Sequence, residues 1–270
     1  MDSLLVTTVL PIPERCIWCR EPLPSSDREK TDRSHVLHAC LGNADDVLPP
    51  GVVCRPCNRY FGAKVDPALV DFPPLQTSAA LLEVINTRHN KLFRDSVPGV
   101  GRIPDTPSEV IDVAIGVEPA RLVLDLRRPI VGRYEKTYRP KDLRVLSRAV
   151  HKLLVESIAL QVYVRGHSEP VDLFASDFDH VRRWVRRGEP SVAARPWLWQ
   201  FPEQDLLQRW RIEPLYRVRG RGYVRLRVYG NWFFAYVTSE NLDVLSSLSE
   251  GQAAPDIIRF ADSIEPTAAA

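Results

Sequence analysis

The chain has 270 residues, enough for one large or two moderate domains. Hydrophobic residues make up 44% and charged residues 26%, a soluble globular composition with material for a real core, and no run is apolar enough to span a bilayer. The net charge of +2, from 36 basic and 34 acidic residues, excludes a polycation overall, although the basic residues are mostly arginine and cluster. At the N-terminus, Leu4–Leu10 reads as a strand that Pro11 and Pro13 end. No apolar run follows a basic leader, which predicts no secretory signal and a cytoplasmic setting where thiols stay reduced.

The next stretch organises the chain. Cys16-Ile-Trp-Cys19 opens it and Cys54-Arg-Pro-Cys57 closes it. Two Cys-x-x-Cys turns supply the four soft ligands of a closed tetrahedral zinc site, and metal binding would provide folding energy that the short intervening loop lacks. Disulfides do not suit a reducing compartment, and a redox motif needs one pair rather than two. Cys40 is the odd cysteine and reads as an ordinary buried thiol. Between the pairs, Pro22–Arg33 reads as a polar surface loop, His35-Val36-Leu37 as a short strand and Leu41-Gly42-Asn43 as a turn. Val52-Val53 reads as a second strand, and a helix can start at Cys57.

In order, the two Cys pairs, His35-Val36-Leu37, Leu41-Gly42, Cys57-Asn58, Phe61-Gly62 and Asp66 resemble the zinc-stapled bacterial branch of the HNH endonuclease family. The resemblance implies a ββα-metal unit with a structural Zn2+ on Cys16, Cys19, Cys54 and Cys57 and a catalytic Mg2+ or Mn2+. It implies His35 as general base, Asn58 as ligand of the catalytic cation and Asn43 as the residue that orients His35, with Pro49 as the alternative at that place. Lys64 could meet a phosphate. The family's acidic residue before the base is here Ser34, where Asp would restore a metal ligand, and Asp32, His38 or Asp66 are the alternatives for completing the site.

Further on, Asp66–Gln76 reads as an extended exit and Ser78 as the cap of a helix over Ala79–Arg94. Residues 97–107 look like a linker, and Arg121–Arg127 alternates as a strand. Pro140–Tyr163 is the clearest helix, with an apolar stripe through Leu146, Val150, Leu153, Leu154 and Ile158 and a basic face of Arg144, Arg148, His151 and Lys152. Asp177–Arg187 is a shorter helix ended by Gly188, and its Arg182, Arg183, Arg186 and Arg187 are candidate nucleic-acid contacts. Tyr223–Tyr229 and Trp232–Thr238 read as a hairpin around Gly230-Asn231, with Arg225 and Arg227 as ordinary sheet residues, and Ile257-Ile258 as a short strand in a polar tail.

The expected fold is α+β: a zinc-bound HNH unit over residues 1–76, a connecting helix and linker over 77–105, and a mixed helical and antiparallel β domain over 106–270. The expected function is a divalent-metal-dependent endonuclease acting on DNA, double-stranded by preference, with no membrane association. The C-terminal domain would position substrate, pair protomers in a homodimer or bind a protein partner. Phage defence, restriction and mobile-element maintenance are compatible with the resemblance. The competing reading is a non-catalytic zinc module that binds nucleic acid or a protein partner.

Overall fold

The structure is a computed structural model that describes residues 8–23, 33–43, 45–72, 75–76, 85–86, 91–92, 101–102, 110–111, 120–126, 130–138, 140–166, 171–189, 197–200, 210–212, 216–218, 221–228, 231–236 and 257–259. The expected strand Leu4–Leu10 falls mostly outside them. Its last residue donates its amide to the Val162 carbonyl at 2.9 Å.

The zinc-knuckle stretch folds as a small antiparallel sheet and two helices. Strand β1 (Ser34–His35) pairs with β2 (Val47–Leu48), Ser34 opposite Leu48 and His35 opposite Val47. The loop between them tightens into a 3-10 turn over Ala39–Leu41, capped by Gly42 at φ 81°, a left-handed conformation that suits glycine. One side chain closes this loop. Asn43 donates to the carbonyls of Leu37 (2.9 Å) and Asp46 (3.1 Å) and accepts from the Asp46 amide (3.0 Å). Helix α1 (Arg55–Lys64) starts directly after Cys54, where Pro56 is tolerated because the first amides have no helical acceptor. Helix α2 (Pro67–Val70) follows at once.

The expected second strand at Val52-Val53 is corrected: β2 lies earlier, and Val52 and Val53 are buried in the turn leading to the second knuckle. Pro49, Pro50 and Gly51 break the strand, and the Val52 carbonyl accepts the Ile17 amide instead, joining the two knuckles at 3.0 Å. The helix expected over Ala79–Arg94 is also corrected. Its described residues form a two-strand ladder, β3 (Ile85–Asn86) against β4 (Lys91–Leu92), consistent with a β-branched residue beside turn-prone Asn and Thr.

Beyond it lie β5 (Gly101–Arg102), β6 (Val110–Ile111), β7 (Ala120–Leu126) and β8 (Ile130–Tyr138), an antiparallel sheet in the order β5-β8-β7-β6. Helix α3 (Pro140–Leu160) continues as a π-helical turn over Gln161–Arg165. Helix α4 (Asp179–Arg187) ends at Gly188, φ 65°, whose amide donates to the Trp184 carbonyl at 2.8 Å. The last strands are β9 (Trp197–Gln200), β10 (Trp210–Ile212), β11 (Tyr216–Val218), β12 (Arg221–Val228), β13 (Asn231–Tyr236) and β14 (Ile257–Arg259). They form a second antiparallel sheet, β10-β12-β13-β9-β14, with β11 also on β12. Val228 pairs with Asn231, so Asn231 belongs to the returning strand rather than to the hairpin turn.

α3 and α4, past the expected boundary at 105, share one core with the zinc knuckles. Trp18 packs edge-on against Phe61 at 5.1 Å, and Phe72 meets Phe233 of β13 at 6.1 Å. From Leu146 to Leu160 every residue of α3 is buried. The expected basic face of α3 is therefore corrected: Arg148, His151 and Lys152 lie inside, each with partners, and Arg144 is half-buried. A helix surrounded on all sides has no wet face. Arg148 caps α4, donating from Nε to the Val185 carbonyl at 3.0 Å, and it also bonds the Tyr60 hydroxyl. Lys152 bridges Asp66 and Glu156, each at 3.1 Å, with its ammonium 5.7 Å from the Phe61 ring centre. Burial alone would lower the Lys152 pKa, but the two carboxylates outweigh it and hold the ammonium above its ordinary value. Burial pushes Glu156 up, more than Lys152 pulls it down. Among the described residues, no helix is long and apolar enough to cross a membrane.

Replacing Lys152 with Met should leave two buried acids without their cation. The expected loss is about 3 to 5 kcal/mol of stability, the range for breaking a buried ion pair. Urea denaturation measures it, and a midpoint equal to wild type would show that the network is not needed.

Candidate active site and metal centre

The two knuckles bring four sulfur atoms together. The Sγ atoms of Cys16, Cys19, Cys54 and Cys57 all lie within 4.8 Å of one another, and Cys19 and Cys54 are 3.6 Å apart. A tetrahedral zinc with bonds of about 2.3 Å sets its sulfurs about 3.8 Å apart. None of the four is in a disulfide. Backbone amides of Trp18 (3.4 Å) and Cys54 (3.3 Å) point at the Cys16 sulfur, as donors to a thiolate do. The thiols divide sharply: contact with Cys16 holds Cys19 far below the ordinary thiol range and Cys54 at about 7, while contact with Cys19 pushes Cys16 up and contact with Cys16 pushes Cys57 up. Four touching sulfurs cannot all ionise unless a cation sits among them, and this cluster is able to hold a zinc ion. Cys40, also buried, stands outside it.

His35 is half-buried on β1, and its Nδ1 is buried with no hydrogen-bond partner among the described residues. Burial lowers its pKa below the usual histidine value. The Asn43 backbone carbonyl opposes this, and the charges of Lys152 and Arg33 add to the lowering. The Asn43 side chain closes the loop. Asn58, in the first turn of α1, donates to the Arg33 carbonyl at 3.4 Å and so ties α1 to the segment leading into β1. Lys64 is exposed at the far end of α1.

The other residues considered for the metal site are engaged elsewhere. Ser34 alternates inward from His35, is 2% exposed, and donates to Glu156 at 3.4 Å. Trp18 donates to the other Glu156 oxygen at 2.9 Å. Asp66 pairs with Lys152, and the neighbouring acid Asp46, to which the sequence did not point, pairs with Arg165. His38 accepts the Cys40 amide at 3.2 Å and caps the 3-10 turn. The Pro49 carbonyl accepts the Val52 amide. Asp32 lies outside the described residues.

Residues 16–72 match the family model described as HNH endonuclease. This stretch has the HNH pattern, with a cysteine cluster able to hold a zinc ion. No curated protein and no solved structure matches the chain.

The HNH unit leans on residues outside the matched span. Glu156 and Lys152 of α3 hold Trp18, Ser34 and Asp66 from behind. Sequence reading missed them, although an i,i+4 Lys–Glu pair inside an apolar helical stripe was a visible signal. The α4 arginines divide as well. Arg182 is buried, bonded to the carbonyls of Ile17 (2.8 Å) and Leu173 and to Asp179 (2.6 Å), so it does not stand on an open face. Arg183 and Arg187 are exposed and Arg186 half-buried.

Cys57→Ser should release zinc and unfold the HNH unit, because the one Ile17–Val52 hydrogen bond and the packing around it do not replace a four-ligand link between the knuckles. Bound zinc and the melting profile check this, and one zinc per chain with an unchanged melt would contradict it. Ser34→Asp, expected from sequence to restore a metal ligand, should instead bury a carboxylate against Glu156. A loss of about 3 to 5 kcal/mol is expected, as for other uncompensated buried charges. A variant of wild-type stability that gains metal affinity would contradict this orientation.

Proposed function

We propose that the chain is a divalent-metal-dependent endonuclease that hydrolyses phosphodiester bonds in DNA, with His35 as the general base. The observation that carries this reading is a half-buried histidine, kept neutral by its surroundings, on the strand of an HNH unit. With burial holding its pKa down, the imidazole is neutral near pH 7 and has a ring-nitrogen lone pair to take a proton from water. Asn43 orients the ring, and Asn58 would hold the cation, Mg2+ or Mn2+. Bound there, such a cation would neutralise charge at the scissile phosphate and the leaving oxygen. Lys64 and the exposed arginines of α4 meet backbone phosphates.

One observation favours a second reading. Ser34 faces Glu156, and Asp66 and Asp46 are paired with cations, which leaves Asn58 without a carboxylate beside it among these candidates. A zinc module that binds nucleic acid without cutting would have this donor set.

Nicking of supercoiled plasmid across a metal and pH series separates the two. The wild-type chain should cut, and His35→Ala should lose on the order of a hundredfold to ten-thousandfold in rate, with no rescue by metal. Asn58→Ala should be partly restored by excess magnesium or manganese. Because the folded-state pKa of His35 is lowered, the base is neutral above the usual value of about 6.5 and gains its proton only at lower pH. The rate should therefore be level from about pH 6.5 upward on the acid side and fall below it. A wild-type chain that never cuts, or a His35→Ala variant that cuts normally, would leave the non-catalytic module.

A further inference from the structure

A cavity of about 390 Å³ opens between the first zinc knuckle and α4, with Arg20 on one side and Asp179, Arg182, Arg183, Arg186 and Arg187 on the other. Five arginines line it with one carboxylate and the Cys19 sulfur of the zinc knuckle. The carboxylate is already held by Arg20 at 3.0 Å and Arg182 at 2.6 Å, and Arg182 is otherwise spent on the Ile17 and Leu173 carbonyls, which leaves Arg183, Arg186 and Arg187 to face the cavity. Arg187 has Glu189 at 3.0 Å. The guanidinium groups of Arg183 and Arg186 have no partner among the described residues. Arg20 adds an independent observation. It is the non-glycine residue with positive φ among the described residues, at 62°, a conformation such residues rarely adopt. Its Nε is buried with no partner among the described residues. Its terminal nitrogens reach the Phe174 and Ala175 carbonyls and Asp179, so the Arg20 side chain is a fixed part of the cavity wall.

Arg183 and Arg186, left over once Asp179 is taken by Arg20 and Arg182, suit an anion. Planar guanidinium groups match a phosphate with paired N–H donors. Trp18, also in the wall, is 1% exposed and offers no face on which a base could stack, and the carboxylate that could read a base edge is occupied. The chemistry selects phosphate over nucleobase.

We propose that this cavity is a phosphate subsite, gripped between the first zinc knuckle and α4, that takes a backbone phosphate of the DNA substrate. α4 lies outside the span matched by the HNH family, so the contact belongs to this chain's own architecture. The identity of the ligand as DNA rests on the nuclease reading. The subsite adds affinity without sequence preference and registers the strand on the zinc unit.

The test uses the zinc-loaded full chain carrying His35→Ala, and measures binding of a fluorescent duplex against salt. Arg183→Gln with Arg186→Gln, both away from the core, should weaken binding about tenfold or more at low salt and lower the salt slope by about one to two. An unchanged affinity and slope would overturn the subsite. Thermal melts with inorganic phosphate and with a nucleoside triphosphate identify the source. Arginine-dependent protection by the nucleotide, with the DNA slope unchanged, would also overturn the proposal, since the site would then serve a free nucleotide. Plasmid nicking by wild type is scored separately. Its absence would sink the nuclease reading, while a slope lost with the two arginines would still support the subsite.

Discussion

Four sulfur atoms converging within 4.8 Å are the constraint on which the N-terminal unit depends. Among its described residues, the stretch between the knuckles carries a ladder of two residues on each side and one 3-10 turn, too little to hold itself. Once the sulfurs share a cation, much else is fixed. Cys54 and Cys57 set the start of α1, the Ile17 amide meets the Val52 carbonyl, and Trp18 is delivered to Phe61. His35 then stands on a strand whose position is set by the metal on one side and by α1, through Asn58, on the other.

The second constraint comes from far along the chain. Lys152 and Glu156 of α3 reach a knuckle residue, a residue of the His35 strand and the residue after α1 in one buried network. Three points of the HNH unit are thereby fixed to one rigid helix. The unit is built into a larger core rather than appended to it. The same network shapes the chemistry, because the Lys152 charge adds to the burial that keeps His35 neutral. It also explains the serine at position 34, since an acid there would face Glu156 across a few ångströms of dry interior.

Much of this was legible where spacing speaks directly. The paired cysteines, the α3 stripe, the Gly188 stop and the alternation of β12 each carry a local period or a residue with one conformational use. What was not legible depends on partners distant in sequence. The inward turn of Ser34 is set by Glu156, 122 residues later. The basic residues of α3 look like a wet face until Asp66, Tyr60 and the α4 carbonyls are brought to them. The stretch at 79–94 has helical spacing, yet Ile85 and Leu92 pair across a ladder, so tertiary pairing overrode propensity. Nothing in the sequence marks Arg20, because its conformation and its buried Nε exist only in the folded chain.

X-ray absorption at the zinc edge of the purified full chain tests the central constraint most directly. One zinc per chain with four sulfur neighbours at about 2.3 Å is the predicted result. A first shell containing nitrogen or oxygen, or a chain that holds no zinc because its cysteines have formed disulfides, would contradict it.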